Sequence, residues 1–241
     1  MHLVRAYAVF AYAMFNASFL CLVAFVTLSV DDGSSQTDLS SFAIDLALVL
    51  FFGLTHSLMA RARFKQLWTK LVPAGAERST YVLVASAQIA LLCWQWRSLD
   101  APSLWVTTGS LALAVRVLQA AGWAIALLST FQIDHFELFG LRQAFGGRAQ
   151  PPELRTPLFY RWVRHPLYFG MLVALWSAPT MSASHLLLSA SLTLYILIGV
   201  RHEERDLVRT FGDAYRTYQA AVPMLLPGVR PWRLAAVRAS E

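Results

Sequence analysis

The chain has 241 residues, of which 57% are hydrophobic and only 14% charged, and carries a net charge of +6. A soluble domain has about 25% charged residues. This balance excludes an ordinary soluble enzyme and predicts an all-α integral membrane protein. The basic residues flank apolar runs rather than forming a patch, which excludes nucleic acid as a partner and makes them orientation signals in lipid.

Six apolar segments follow one another: 4–30, 41–60, 79–97, 103–129, 166–180 and 184–200. A spanning helix needs about 20 apolar residues, and the first four qualify. Segment 4–30 is too long for a signal-peptide core and lacks a small-residue cleavage site, so it reads as a helix. Cys21 and Cys93 lie inside apolar segments and suggest neither a zinc site nor a disulfide framework. No metal site is expected. Arg116, in the fourth segment, is costly without a partner, and Asp45 is one possible partner. The last two segments are short, with Pro179, Ser182 and Ser184 between them. They predict a short helical hairpin.

Of the 20 Lys and Arg residues, 18 fall on one side of this arrangement. They are Arg5, the group Arg61, Arg63, Lys65, Lys70 and Arg78, the group Arg142, Arg148, Arg155, Arg161 and Arg164, and seven arginines after position 200. The opposite side has Asp31, Asp32, Asp38, Asp100 and Arg97. About six membrane segments with both termini cytoplasmic satisfy the positive-inside rule. The expected organisation is a single membrane domain, 1–241. It comprises a four-helix membrane part (1–129), a cytosolic substrate or lid loop (130–165) and a cofactor-binding hairpin with a C-terminal helix (166–241). The loop holds Gly146, Gly147, Pro151, Pro152 and Pro157, and a connection this long is usually functional or disordered.

Arg164-His165-Pro166-Leu167-Tyr168-Phe169-Gly170 is the most informative stretch. Pro166 suits the first position of a helix, and a helix start beside an arginine suits a carboxylate or phosphate. Gly170 leaves room for a ligand or a neighbouring helix. The hairpin returns the chain to its starting side, so Glu203 and Glu204 arrive near Arg164 and His165. Glu204, Val208, Phe211, Tyr215 and Tyr218 are spaced to share one helix face. A cofactor with a carboxylate, an ammonium, ribose hydroxyls and a sulfonium uses all these groups, and S-adenosylmethionine is such a molecule. Arg164 and the helix amides suit its carboxylate, Glu203 or Glu204 its ammonium or ribose, and tyrosine faces its sulfonium. Taken singly, these residues read as interfacial anchors; the ordered set points to function.

Arg164-His165-Pro166-x-Tyr168-x-Gly170, Glu203-Glu204-x-x-Leu207 and Phe211-Gly212-x-x-Tyr215-x-x-Tyr218, followed by Val222-Pro223, resemble the isoprenylcysteine carboxyl methyltransferase-like superfamily of integral membrane methyltransferases. Upstream, His56-Ser57-Leu58-Met59-Ala60-Arg61, Glu77-Arg78-Ser79-Thr80-Tyr81 and Ser129-Thr130-Phe131 through Gln143 resemble the bacterial methanethiol S-methyltransferases and the related NnrU-like proteins. The resemblance implies S-adenosylmethionine as methyl donor at the cytosolic face of the bacterial inner membrane. It implies a small volatile thiol as acceptor, with dimethyl sulfide as product, and hydrogen sulfide as a further acceptor. Lipid surrounds such a protein, and no obligate protein partner is inferred.

A free thiol is mostly protonated at neutral pH, so methyl transfer to it calls for a base or a nearby cation. His135, Asp134 and His56 are the candidate bases, with Arg142 as electrostatic helper; the resemblance does not assign these roles. Alternatives are a methyltransferase of another thiol, a prenylcysteine or a lipid acceptor, an NADPH-dependent membrane reductase, and a non-enzymatic membrane factor.

Overall fold

The structure, a computed structural model, describes residues 2–30, 39–99, 101–147 and 153–232. Asp31, Asp32, Asp38, Asp100, Arg148, Pro151, Pro152, Arg233 and Arg238 lie outside the described residues. The described chain is mostly helical. Helix α1 (His2–Ala24) ends in a wider π turn, Phe25–Ser29, and is followed by α2 (Leu39–Ala60), the short α3 (Ala62–Trp68) and α4 (Ala74–Gln95). Strand β1 (Trp105–Val106) leads into α5 (Gly109–Ile133), and α6 (His135–Leu138) and α7 (Leu141–Ala144) are single turns. A 3-10 turn, Leu158–Arg161, precedes α8 (Pro166–Trp176), β2 (Thr180–Met181), α9 (Ala183–Phe211) and α10 (Asp213–Ala221).

Four helical stretches are long and apolar enough to cross a membrane: His2–Ser29, Leu39–Ala60, Gly109–Ile133 and Ala183–Phe211. Leucines and phenylalanines on them point outward, among them Leu50, Phe51, Leu54, Leu111, Leu113 and Leu194. Contiguous apolar surface of this kind is stable against lipid and not against water. The chain is an integral membrane protein.

Three expectations need correction. The second arm of the hairpin is not short, because α9 runs unbroken for 29 residues through Glu203 and Glu204. No glycine or proline interrupts it between Val200 and Phe211. The amphipathic stretch is therefore not one helix. It breaks at Gly212, whose φ of 58° lies in the left-handed region that glycine adopts without strain. Glu204, Val208 and Phe211 end α9, while Tyr215 and Tyr218 belong to α10. The long loop also begins later than expected, since Thr130 to Ile133 complete α5.

Helix α8 has only 11 residues, and the extended chain after it pairs β2 with β1 in antiparallel register, Trp105 opposite Met181. Helix α8 thus runs alongside α5 near Gln119, Gly122 and Ala126, and β2 continues against β1, just before α5. Ser182 caps the next helix by accepting a hydrogen bond from the His185 amide at 3.0 Å. Helices α5 and α8 touch backbone to backbone. A Cβ on Gly122 would stand 2.6 Å from the Ala174 nitrogen, and one on Gly170 would stand 2.5 Å from the Ala126 nitrogen. Trp123, Leu175, Leu188, Leu92 and Phe25 close the core around this crossing.

Contacts between elements separate the two ends of the bundle. At one end Tyr7 donates to Thr80 Oγ1, Arg5 lies over the Phe145 ring and Tyr12 meets His135. At the other, the Arg97 amide donates to Asp45 Oδ1 at 3.0 Å, and Arg116 reaches the Thr27 carbonyl at 3.4 Å. Asp45 is therefore bonded to the Arg97 backbone, and the bond seen for Arg116 goes to a carbonyl instead.

Gly170→Val must push α5 and α8 apart and should lower stability by about 1–3 kcal/mol or more. Gly199→Ala, whose added Cβ meets nothing within 4 Å, should leave stability unchanged or raised. Apparent melting temperatures in one detergent check both, and a Gly170→Val protein melting with its parent contradicts the close crossing.

Candidate functional site

Glu204 is the centre of a buried polar node. Its side chain is 11% exposed and accepts five hydrogen bonds. Arg164 grips it with two nitrogens, Nε to Oε1 at 2.9 Å and Nη2 to Oε2 at 3.0 Å. His165 Nε2 donates to Oε1 at 2.7 Å, the Tyr215 hydroxyl to Oε1 at 2.8 Å, and the Gln219 amide to Oε2. The remaining terminal nitrogen of Arg164 donates to the carbonyls of Gln219 and Val222. Burial and the adjacent Glu204 carboxylate push the Tyr215 phenol above its ordinary range, so it stays a donor.

Backbone bonds reinforce the node. The Arg164 amide donates to Pro223 O at 2.9 Å, His165 to Met224 O at 3.2 Å, and Gly228 to Trp162 O at 2.7 Å. The C-terminal segment thereby straps across the loop that starts α8. Pro166 takes the first position of that helix, where its missing N–H costs nothing. Tyr218 donates to the Tyr160 carbonyl at 2.5 Å and packs on Trp232.

One residue earlier on the same helix, Glu203 is open. Its side chain is 46% exposed and lies 3.8 Å from His165 Nδ1. It lies close enough to the Tyr168 hydroxyl to act on it electrostatically. Tyr160 is close enough that burial and the Glu203 charge together raise its phenol pKa. Glu203, Tyr168 and Tyr160 thus border the node without being consumed by it, as a carboxylate flanked by aromatic hydroxyls. Such a group suits a cation or a vicinal diol.

The structure divides the expected site residues by what they hold. It brings together Arg164, His165, Glu204 and Tyr215, which bind one another, with Glu203 and Tyr168 beside them. Tyr218 holds the 3-10 turn, and Gly170 faces α5 instead of a ligand space.

Asp134, His135 and Arg142 form a separate brace. Asp134 Oδ1 accepts the Glu137 amide at 3.0 Å, capping α6, and Oδ2 pairs with Arg142 Nη1 at 2.6 Å. His135 is 3% exposed, with Nε2 2.8 Å from the Tyr12 hydroxyl and Nδ1 2.7 Å from Thr130 Oγ1. Its ring stacks on Phe131 at 3.8 Å. Both nitrogens are occupied, so this histidine ties α1, α5 and α6 together.

His56 differs. Nε2 lies 2.5 Å from the Tyr81 hydroxyl, while Nδ1 is buried with no hydrogen-bond partner. Phe52, Tyr81 and Tyr195 surround the ring. Residues that sequence reasoning passed over include Gln219, Tyr160, Phe52 and Tyr195. Gln219 follows Tyr215 by one helical turn and Phe52 precedes His56 by one, a spacing that places each pair on a common face. A Cβ on Gly53 would stand 3.0 Å from the Tyr195 ring, a contact between distant helices that no sequence spacing reveals.

The NnrU protein family matches residues 44–238, well over half of the chain. The chain belongs to the NnrU family. That match takes in His56, the brace at Asp134, the Glu204 node and the strap beyond it. Methanethiol S-methyltransferase 1 of Bradyrhizobium diazoefficiens is 44% identical to this NnrU-family chain over 236 residues, covering 94% of the chain and 81% of that protein. Methanethiol S-methyltransferase of Mycobacterium tuberculosis is 42% identical, covering 94% of the chain and 96% of that protein. Nurim of Rattus norvegicus is 31% identical over 70% of the chain and 69% of its own length. No solved structure matches.

Burial lowers the His135 pKa from its ordinary 6.5, so the folded NnrU-family protein holds this ring neutral. The unfolded chain takes up a proton there below pH 6.5 and the folded one resists it. The stability that His135 contributes is therefore present above that pH and is lost as pH falls through it. His135→Gln should lower the melting temperature at pH 7 and flatten its fall between pH 7 and pH 5. An unchanged profile contradicts the brace.

Proposed function

We propose that this chain transfers the methyl group of S-adenosylmethionine to methanethiol, giving dimethyl sulfide. The observation that carries the reading is 44% identity across 94% of the chain to a methanethiol S-methyltransferase. Hydrogen sulfide fits the same chemistry as a second acceptor, since its methylation gives methanethiol.

The residues present suit the donor. S-adenosylmethionine supplies the methyl group on a sulfonium, alongside an ammonium, a carboxylate and a ribose diol. The half-exposed carboxylate of Glu203 suits the ammonium or the diol, and the Tyr168 ring beside it suits a cation. Arg164 does not serve as the carboxylate grip first expected of it, because three of its nitrogens are bonded within the node. The first-turn amides of α8 have no helical acceptors of their own and suit that carboxylate instead. Glu204 and Arg164 hold this wall in place, while Glu203 reads the ligand.

Thiolate and sulfonium neutralise each other as the methyl moves, so a poorly solvated site favours the transition state once binding offsets desolvation. The apolar bundle supplies that surrounding. Asp134, His135 and Arg142 contribute rigidity beneath the site and no proton transfer.

Six crossings place both termini in the cytoplasm, α8 with its following strand forming the fifth. The basic end of the bundle then lies at the cytoplasmic face of a bacterial inner membrane. Residues 1–129 form the membrane scaffold, 130–165 the cytosolic loop region and 166–241 the donor-binding part.

Headspace gas chromatography of the purified protein in detergent, with S-adenosylmethionine and methanethiol, tests the reading. Dimethyl sulfide should accumulate above a protein-free control, with one equivalent of demethylated donor per product. Folded protein that binds S-adenosylmethionine and forms no dimethyl sulfide refutes methanethiol as acceptor, and protein that binds no donor refutes the reaction.

A further inference from the structure

We propose that the aromatic cluster around His56 is the acceptor chamber and that His56 Nδ1 receives the thiol proton. This rests on the methyl-transfer reading above and joins two residues of the upstream motifs, His56 and Tyr81, to Phe52 and Tyr195, which lie outside them.

The geometry is that of a small aromatic box around one buried, unpartnered polar atom. The Phe52 ring centroid is 5.1 Å from that of His56, Tyr81 is at 4.8 Å and Tyr195 at 6.3 Å. Gly53 supplies the space into which Tyr195 packs. All four rings are half-buried, so the box borders accessible surface and is not sealed into the core. His56 Nδ1 is the one buried histidine nitrogen without a hydrogen-bond partner among the described residues. A buried polar atom without a partner costs free energy, and a ligand that bonds to it recovers that cost.

The box also adjoins the donor side. Tyr168 lies within electrostatic reach of Glu203, Tyr195 and Tyr81. Tyr168 is thus a neighbour common to the open carboxylate and the chamber.

The chemistry fits a small alkyl thiol. Aromatic walls attract polarisable sulfur, and a molecule of two heavy atoms offers one hydrogen-bond donor, its S–H. With Nε2–H donating to the Tyr81 oxygen, Nδ1 presents a lone pair to that donor. The acceptor sulfur forms a bond to the transferred methyl carbon, and the bond from that carbon to the sulfonium sulfur breaks, its electron pair staying with the donor. The thiol proton passes to Nδ1, and Tyr81 steadies the resulting imidazolium.

Methaneselenol tests the proton role, because it has nearly the same shape as methanethiol and is ionised at neutral pH. In His56→Gln, methanethiol turnover should fall about a hundredfold or more, methaneselenol turnover should stay within severalfold of the parent, and S-adenosylmethionine affinity should hold. Equal loss with both acceptors, or retained methanethiol turnover, overturns the assignment. Parent protein that methylates neither acceptor refutes the reaction itself, which separates the two failures. Should His56→Gln not fold, Tyr81→Phe decides: the same acceptor selectivity, in weaker form, supports the chamber, and its absence overturns it.

Discussion

A buried carboxylate must be paid for in hydrogen bonds, and at Glu204 five donors supply them. Taking an ion out of water is costly enough that loss of one partner from a buried pair typically destabilises by about 3–5 kcal/mol. The donors come from the loop before α8 and from α10, so satisfying one charge on α9 fixes three parts of the chain. The bidentate grip of Arg164 adds orientation that a lysine could not give. The same arginine also bonds the carbonyls of Gln219 and Val222, which brings the C-terminal strap into register.

That constraint lets adjacent residues do different work. Successive positions on a helix point about 100° apart, so a saturated Glu204 leaves Glu203 directed at open space. His165 spans the two, with Nε2 on Glu204 and Nδ1 3.8 Å from Glu203. The close α5–α8 crossing at Gly122 and Gly170 fixes the other end of α8. The candidate donor site thus sits on backbone held at both ends, which suits a reaction that depends on in-line positioning.

Long apolar runs made the membrane-length helices His2–Ser29, Leu39–Ala60 and Gly109–Ile133 readable, because they follow from the bilayer as solvent, whereas the expected span at 79–97 is not among the apolar helices of that length. The meeting of Arg164 and His165 with Glu204 was readable too, since a chain that crosses and returns must bring its flanks together. What could not be read was which polar atoms are already satisfied. Asp134, His135 and Arg142 looked reactive as residue types, yet cap, ion pair and ring stack use them up. Arg164 and Glu204 looked like ligand groups, and their bonds to each other could not be read. Helix α9 outran its apolar pattern because Glu203 and Glu204 are good helix formers, and polarity alone does not end a helix. The Phe52–His56–Tyr81–Tyr195 box joins three helices distant in sequence, so no local spacing announces it.

The most direct test of this division of labour compares Glu203→Gln with Glu204→Gln, measuring S-adenosylmethionine affinity and apparent melting temperature in the same detergent. The account predicts that Glu203→Gln weakens binding and melts with the parent, whereas Glu204→Gln melts at a clearly lower temperature. Glu203→Gln binding as the parent does, or Glu204→Gln melting unchanged, contradicts it.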